Sequence, residues 1–98
     1  MGVNPARADT LNQTTLYYSA REGKSQLIDF LVENGCNVNQ IDTYGQSPIF
    51  YACREGRLET IKKLIGFGAD HDLVDNNGQT PIYYSIKQGK IEVIEYLL

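Results

Sequence analysis

The chain has 98 residues, of which 42% are hydrophobic and 21% charged, with a formal net charge of −3. That length allows one small domain, and the composition is that of a folded chain rather than a self-repelling disordered one. The mildly acidic balance argues against a nucleic-acid binder, and no apolar run approaches the roughly 18–20 residues needed to span a bilayer. Met1–Ala8 has one Arg and no apolar core, so it does not read as a signal peptide. With that opening, Cys36 and Cys53 read as reduced, half-buried small hydrophobes of a cytoplasmic or nuclear protein.

One pattern returns along the chain at an offset of 33. Gly2-Val3-Asn4 stands in phase with Gly35-Cys36-Asn37, so residues 1–8 read as the tail of a preceding unit. A first copy then spans 9–41. It opens on Asp9-Thr10-Leu11-Asn12, where Asn12 stands in place of a turn glycine as the residue that best tolerates the left-handed region. Thr14 is placed to cap a short helix that stops at Gly23. A second helix begins two residues later, carries Leu27, Ile28, Leu31 and Val32 on one stripe, and ends at Asn34-Gly35.

The second copy, 42–74, opens on Asp42-Thr43-Tyr44-Gly45. Here the Asp side chain can bond backbone N–H groups ahead of it, and Gly takes a positive φ freely. Ser47-Pro48 follows, a hydroxyl N-cap with Pro at the first helical position, where its missing N–H costs nothing. The helix runs about two turns to Gly56, a residue suited to a left-handed C-terminal cap. Ile61, Leu64 and Ile65 stripe the next helix, which ends at Phe67-Gly68. The third copy, 75–98, repeats the order with Asn77-Gly78, Thr80-Pro81, Gly89, and then Val93, Ile94, Leu97 and Leu98. Leu98 falls inside a second helix, and Ile86 and Ile91 leave this copy apolar. Repeat arrays need polar ends, so the natural protein is expected to continue past Leu98.

Hairpin, helix, turn, helix with a period of 33 is similar to the ankyrin family, whose signature is Thr-Pro-Leu-His-x-Ala. Ser47-Pro48-Ile49-Phe50-Tyr51-Ala52 and Thr80-Pro81-Ile82-Tyr83-Tyr84-Ser85 resemble that signature, and Gly35-Cys36-Asn37-Val38-Asn39 and Gly68-Ala69-Asp70 resemble the family's loop. The resemblance implies an all-α fold: an open solenoid of helix-turn-helix units joined by β-hairpin-like loops, forming a single domain over 1–98. The family His is replaced by Tyr17, Phe50 and Tyr83, so packing is expected to substitute for part of its hydrogen-bond network. The resemblance also implies a non-enzymatic module of a larger polypeptide, monomeric, binding a protein or peptide in a concave groove and on the hairpin tips.

Chemistry finds little purchase. His71 is the only histidine, and two Cys plus one His are too few for a closed zinc site. The glycines recur at 33 rather than clustering around a phosphate, and no carboxylate pair stands out as an acid/base couple. No catalytic residue, cofactor or metal is expected. The basic residues are more ordered. Arg21, Arg54 and Lys87 share one position in the unit, and Lys24, Arg57 and Lys90 share another. The first column closes the short helix, where cations complement the dipole. An acidic partner is the second reading of that column, although Glu22 and Glu55 beside it weaken the case for a phosphate.

Candidate contacts on the hairpin tips are Thr10, Leu11 and Gln13, then Ile41, Thr43, Tyr44 and Gln46, then Val74, Asn76, Asn77 and Gln79. Tyr44 leads them, because tyrosine is enriched at binding hot spots. Tyr18, Tyr51 and Tyr84 form an aromatic column, either packed between successive first helices or lining the groove. As groove residues they raise an alternative function, a cation–π cage for methylated lysine that regulates an enzyme domain elsewhere in the full-length protein. Arg21, Arg54 and Lys87, three residues on from each Tyr, weigh against that cage.

Overall fold

The structure, a computed structural model, describes the backbone from Pro5 to Leu98 and the side chains from Gln13 onward. The proposed tail at Gly2–Asn4 lies outside the described residues. Six helices follow in order: α1 (Pro5–Glu22), α2 (Ser25–Glu33), α3 (Pro48–Glu55), α4 (Leu58–Gly66), α5 (Pro81–Lys87) and α6 (Ile91–Leu97). They form antiparallel pairs, α1 with α2, α3 with α4 and α5 with α6, and the pairs stack so that α3 packs on both α1 and α5 while α4 packs on α2. Among the described residues no strand forms; neighbouring turns meet through single backbone bonds, as from Asn76 N–H to the Tyr44 carbonyl at 3.0 Å. The described chain measures 45 × 27 × 19 Å.

Each tight turn within a pair is made by its glycine. Gly56 adopts φ 73°, and the bonds from Arg57 N–H to the Ala52 carbonyl (2.9 Å) and from Gly56 N–H to the Cys53 carbonyl (3.3 Å) consume the orphan carbonyls of α3. The helix pairs then bury one stripe between them. Leu16, Ile28, Ile49, Phe50, Ile61, Leu64 and Val93 are all essentially inaccessible, each contributing roughly 1.5–3 kcal/mol of burial. Along α2 only the central pair of the stripe, Ile28 and Leu31, is buried, while Leu27 flanks it at the surface.

Three expectations are corrected. The first copy makes no turn at Asp9–Asn12: α1 runs straight through it. Asn12 is not obliged to take a positive φ, and Thr15 keeps the N–H that Pro48 and Pro81 lack, so the helix has no reason to stop. Thr14 therefore sits inside α1 rather than capping it. Second, Ser47 and Thr80 hold the N-cap position with extended backbone but make no side-chain capping bond. The N–H groups such a bond would use, those of Phe50 and Tyr83, already bond the Ser47 and Thr80 carbonyls at 3.0 and 3.1 Å. Third, the aromatics at the family His position diverge. Phe50 is fully buried and packs as expected, but the Tyr17 hydroxyl keeps a polar bond, donating to the Gln40 carbonyl at 2.7 Å, and Tyr83 is 37% exposed. Burial and the Asp42 charge push the Tyr17 hydroxyl up to about 12, against a hydrogen bond involving Gln13 that lowers it.

Candidate partner-binding surface

The turns between pairs are organised by their opening aspartates. Asp42 Oδ1 accepts from the Tyr44 and Gln46 N–H groups at 2.9 and 3.0 Å, and Asp75 Oδ1 accepts likewise from Asn77 and Gln79. The other carboxylate oxygen takes a tyrosine hydroxyl from the following helix: Tyr51 donates to Asp42, and Tyr84 to Asp75. Burial would raise the nearly inaccessible Asp75, but the bonds from Tyr84, Gln79, Gln46 and Asn77 outweigh it and hold its carboxyl at about 2. Burial first, and the aspartate bond second, push Tyr51 and Tyr84 above the ordinary tyrosine range.

Gln46 joins these clasps across units. Its Nε2 donates to Asp75 Oδ2 at 2.9 Å and to the Tyr84 hydroxyl at 3.3 Å, while its Oε1 accepts from Arg54 Nη2 at 3.1 Å. This is the amide orientation that matches every donor to an acceptor. The expectation of Gln46 as an exposed tip contact is thus corrected, since it is buried at 5% exposure. Gln13, its counterpart, is corrected in the same way: it lies buried on α1 and exchanges two bonds with the Asn37 backbone, at 2.8 and 3.2 Å. Gln13 thus holds the loop after α2 from its place on α1, and Gln46 ties its turn to the next unit.

The remaining candidates divide between tip and helix face. Tyr44 is 66% exposed on the second turn, yet its backbone is fixed at both ends, by its N–H bond to Asp42 and by Asn76 N–H on its carbonyl. Thr43, Asn76 and Asn77 are exposed and Gln79 is partly so. Asn76 reaches back to the preceding turn, donating its Nδ2 to the Thr43 carbonyl at 2.9 Å. The side chains of Thr10 and Leu11 lie outside the described ones.

Along the helix face, the tyrosine column is neither purely core nor purely groove. Tyr18 is 49% exposed, whereas Tyr51 and Tyr84 are half-buried with their hydroxyls turned inward to aspartates. Arg21 stacks on Tyr18 at 5.4 Å and pairs with Glu22 at 3.2 Å. The Arg54 guanidinium lies between two rings, 5.3 Å from Tyr51 and 5.1 Å from Tyr84. Glu55 and Lys87 are exposed. In the second basic column, Arg57 has a role within the fold, donating Nε to the Arg21 carbonyl at the end of α1 (3.0 Å).

The Asp–Tyr clasp escaped sequence reasoning, although its signal is present: an Asp and a Tyr nine residues apart recur at 9 and 18, 42 and 51, and 75 and 84. The cysteines are more deeply placed than half-buried. Cys36 matches Ala69 in a near-closed loop position, and Cys53 is inaccessible, its thiol pushed up to about 12 by burial against a weaker lowering by Ser85. His71 lies 3.6 Å from Asp72 in the loop after α4. Among the described residues no group of three His, Cys, Asp or Glu could hold a metal ion, and no helix is long and apolar enough to cross a membrane.

Stacked helix pairs, joined by reinforced turns along one edge, define a helical-repeat solenoid, built to present a surface rather than to enclose a site. The chain belongs to the ankyrin-repeat family: residues 1–75 match the family described as ankyrin repeats (3 copies). The helix pair α5 and α6 repeats the same arrangement outside the matched range. Among curated proteins none matches the chain. Ankyrin repeats are in general protein–protein interaction modules and typically non-enzymatic scaffolds.

Proposed function

We propose that this chain is a protein-binding scaffold, not an enzyme, that takes a partner protein or peptide across its turn tips and the adjoining face of α1, α3 and α5. It works without a cofactor, as a monomeric module in the cytoplasm or nucleus, where Cys36 and Cys53 stay reduced. The observation that carries this reading is Tyr44. A large aromatic held in solvent at 66% exposure, on a turn whose backbone is locked from both sides, is pre-organised for contact. Such a side chain loses little entropy when it binds. The tip residues Thr43, Asn76, Asn77 and Gln79, and Arg21, Arg54, Glu55 and Lys87 in the last turns of α1, α3 and α5, are further contacts; Gln46 supports the turns from beneath.

The methyl-lysine alternative meets an occupied cage, because Arg54 already stands between the rings of Tyr51 and Tyr84. Affinity capture with the chain as bait, followed by titration of each captured protein against wild type and Tyr44→Ala, tests the scaffold reading. A specific partner that binds the variant at least about tenfold more weakly supports it, a loss of about 1.4 kcal/mol. No saturable partner, or one that prefers a trimethyl-lysine peptide over its unmethylated form, would overturn it.

A further inference from the structure

Arg54 differs from every other cation in the fold. Its guanidinium is stacked between Tyr51 of its own helix and Tyr84 of the next, which fixes its plane and leaves its edge to make bonds. Among the described residues one of its five N–H donors is engaged, by Gln46 Oε1. Among the described residues the ion pairs are Arg21–Glu22, Lys62–Glu59, Lys63–Asp29 and His71–Asp72, and Arg54 is in none of them.

The carboxylates of the two adjoining turns are already bonded. Asp42 and Asp75 are filled by turn N–H groups and tyrosine hydroxyls, and Gln46 stands between Asp75 and Arg54 with its amide nitrogen to the one and its oxygen to the other. Ser47 Oγ is the one buried side-chain polar atom without a hydrogen-bond partner among the described residues, so the other guanidinium nitrogens are open to solvent rather than sealed in. The result is a half-buried cation, already ordered and partly dehydrated by two rings, with donors unused and no ion pair among the described residues.

We infer that Arg54 is the anchor for a carboxylate of the bound partner, received edge-on as a bidentate pair. A guanidinium fork matches a carboxylate in geometry as well as charge, and the two rings hold it ready without loss of side-chain freedom on binding. Lys87 on α5 adds positive charge to the same column. This inference rests on the scaffold reading and gives it a partner chemistry: an acidic side chain or a chain-terminal carboxylate.

The test uses the full 98-residue chain, 15N-labelled, with three acetylated Gly/Ser heptapeptides. One carries two central Glu and an amidated end, one carries Gln at those positions and a free C-terminal carboxylate, and one carries Gln with an amidated end. The Arg54 Nε–H cross-peak reports binding directly. At least one acidic peptide is expected to shift it saturably and to bind at least tenfold more tightly than the neutral peptide. Whichever of the two acids does so identifies the source of the carboxylate. Arg54→Gln should weaken that binding tenfold or more. Arg54→Lys, which keeps the charge near Gln46 but lacks the planar fork, should weaken it at least fivefold, and it serves if the Gln variant does not fold. Equal affinity for acidic and neutral peptides, wild-type affinity in a folded variant, or an unmoved Arg54 cross-peak at millimolar peptide would overturn the inference. A captured protein partner that binds wild type and Arg54→Lys equally would overturn it while leaving the scaffold standing.

Discussion

Tyr84→Phe deletes one hydroxyl and leaves the ring where it packs, 6.2 Å from Phe50, 5.1 Å from Tyr83 and 5.1 Å from the Arg54 guanidinium. The substitution therefore removes the bond donated to Asp75 together with the longer one accepted from Gln46 Nε2 at 3.3 Å. A hydrogen bond to a charged group contributes roughly 1.5–3 kcal/mol. Asp75 keeps its bonds from Gln46, Asn77 and Gln79, so the lower end of that range applies, about 1.5 kcal/mol. For a domain of this size that lowers the melting temperature by about 6–12 °C.

The same substitution has a pH signature. The folded Asp75 carboxyl lies at about 2, below its ordinary 3.8, so its stabilisation is present above about pH 4 and is lost as pH falls through the folded value. Removing a donor raises that folded value and shrinks the gap. The stability difference between wild type and variant should hold from pH 7 down to about pH 4 and narrow below it, where the carboxyl begins to titrate. Urea unfolding followed by circular dichroism at pH 7, 5 and 3 measures it. Equal stability at pH 7, or a difference that does not change with pH, would refute the clasp as a charged hydrogen bond.

Further outcomes follow from the same geometry. Tyr44→Ala should leave stability within about 0.5 kcal/mol of wild type, since its side chain touches solvent, while weakening an established partner by at least about 1–2 kcal/mol in a calorimetric titration. Gly45→Ala should destabilise by more than about 1 kcal/mol in urea, because φ is +75° and an added Cβ would stand 3.0 Å from the Asn76 backbone nitrogen and 2.5 Å from its side-chain oxygen. Cys53 should resist a thiol reagent at pH 8 in the native state and react on unfolding; rapid native reaction would contradict its burial. Tyr17, Tyr51 and Tyr84 are all raised above 10, so their contribution is full below that pH and fades as alkali titrates them, which an alkaline melting series reads out.

Turn glycines and helix stripes were legible because they are local. The positive φ at Gly23, Gly56 and Gly89 and the burial of Ile28, Ile61 and Leu64 follow from residues within one or two turns of chain. The first copy shows where a local rule needs its own residues. Asp9 is present, but without a glycine at 12 and a proline at 15 the helix continues, and a period shared with later copies cannot enforce a turn. Family likeness carried the architecture, while the roles of its variable positions were open: Tyr17, Phe50 and Tyr83 share one position and have three environments.

By itself the sequence determined the 33-residue unit, the paired helices, the glycine caps and the exposed place of Tyr44, since each depends on backbone preference or on spacing along one helix. Tertiary structure alone decided that Gln46 is a buried bridge, that Tyr51 and Tyr84 turn their hydroxyls to aspartates, and that Arg54 lies between two rings. Gln46 meets Asp75 and Tyr84 across separations of 29 and 38 residues. A polar side chain's burial is set by whichever neighbouring unit closes over it, and that neighbour exists only once the pairs have stacked.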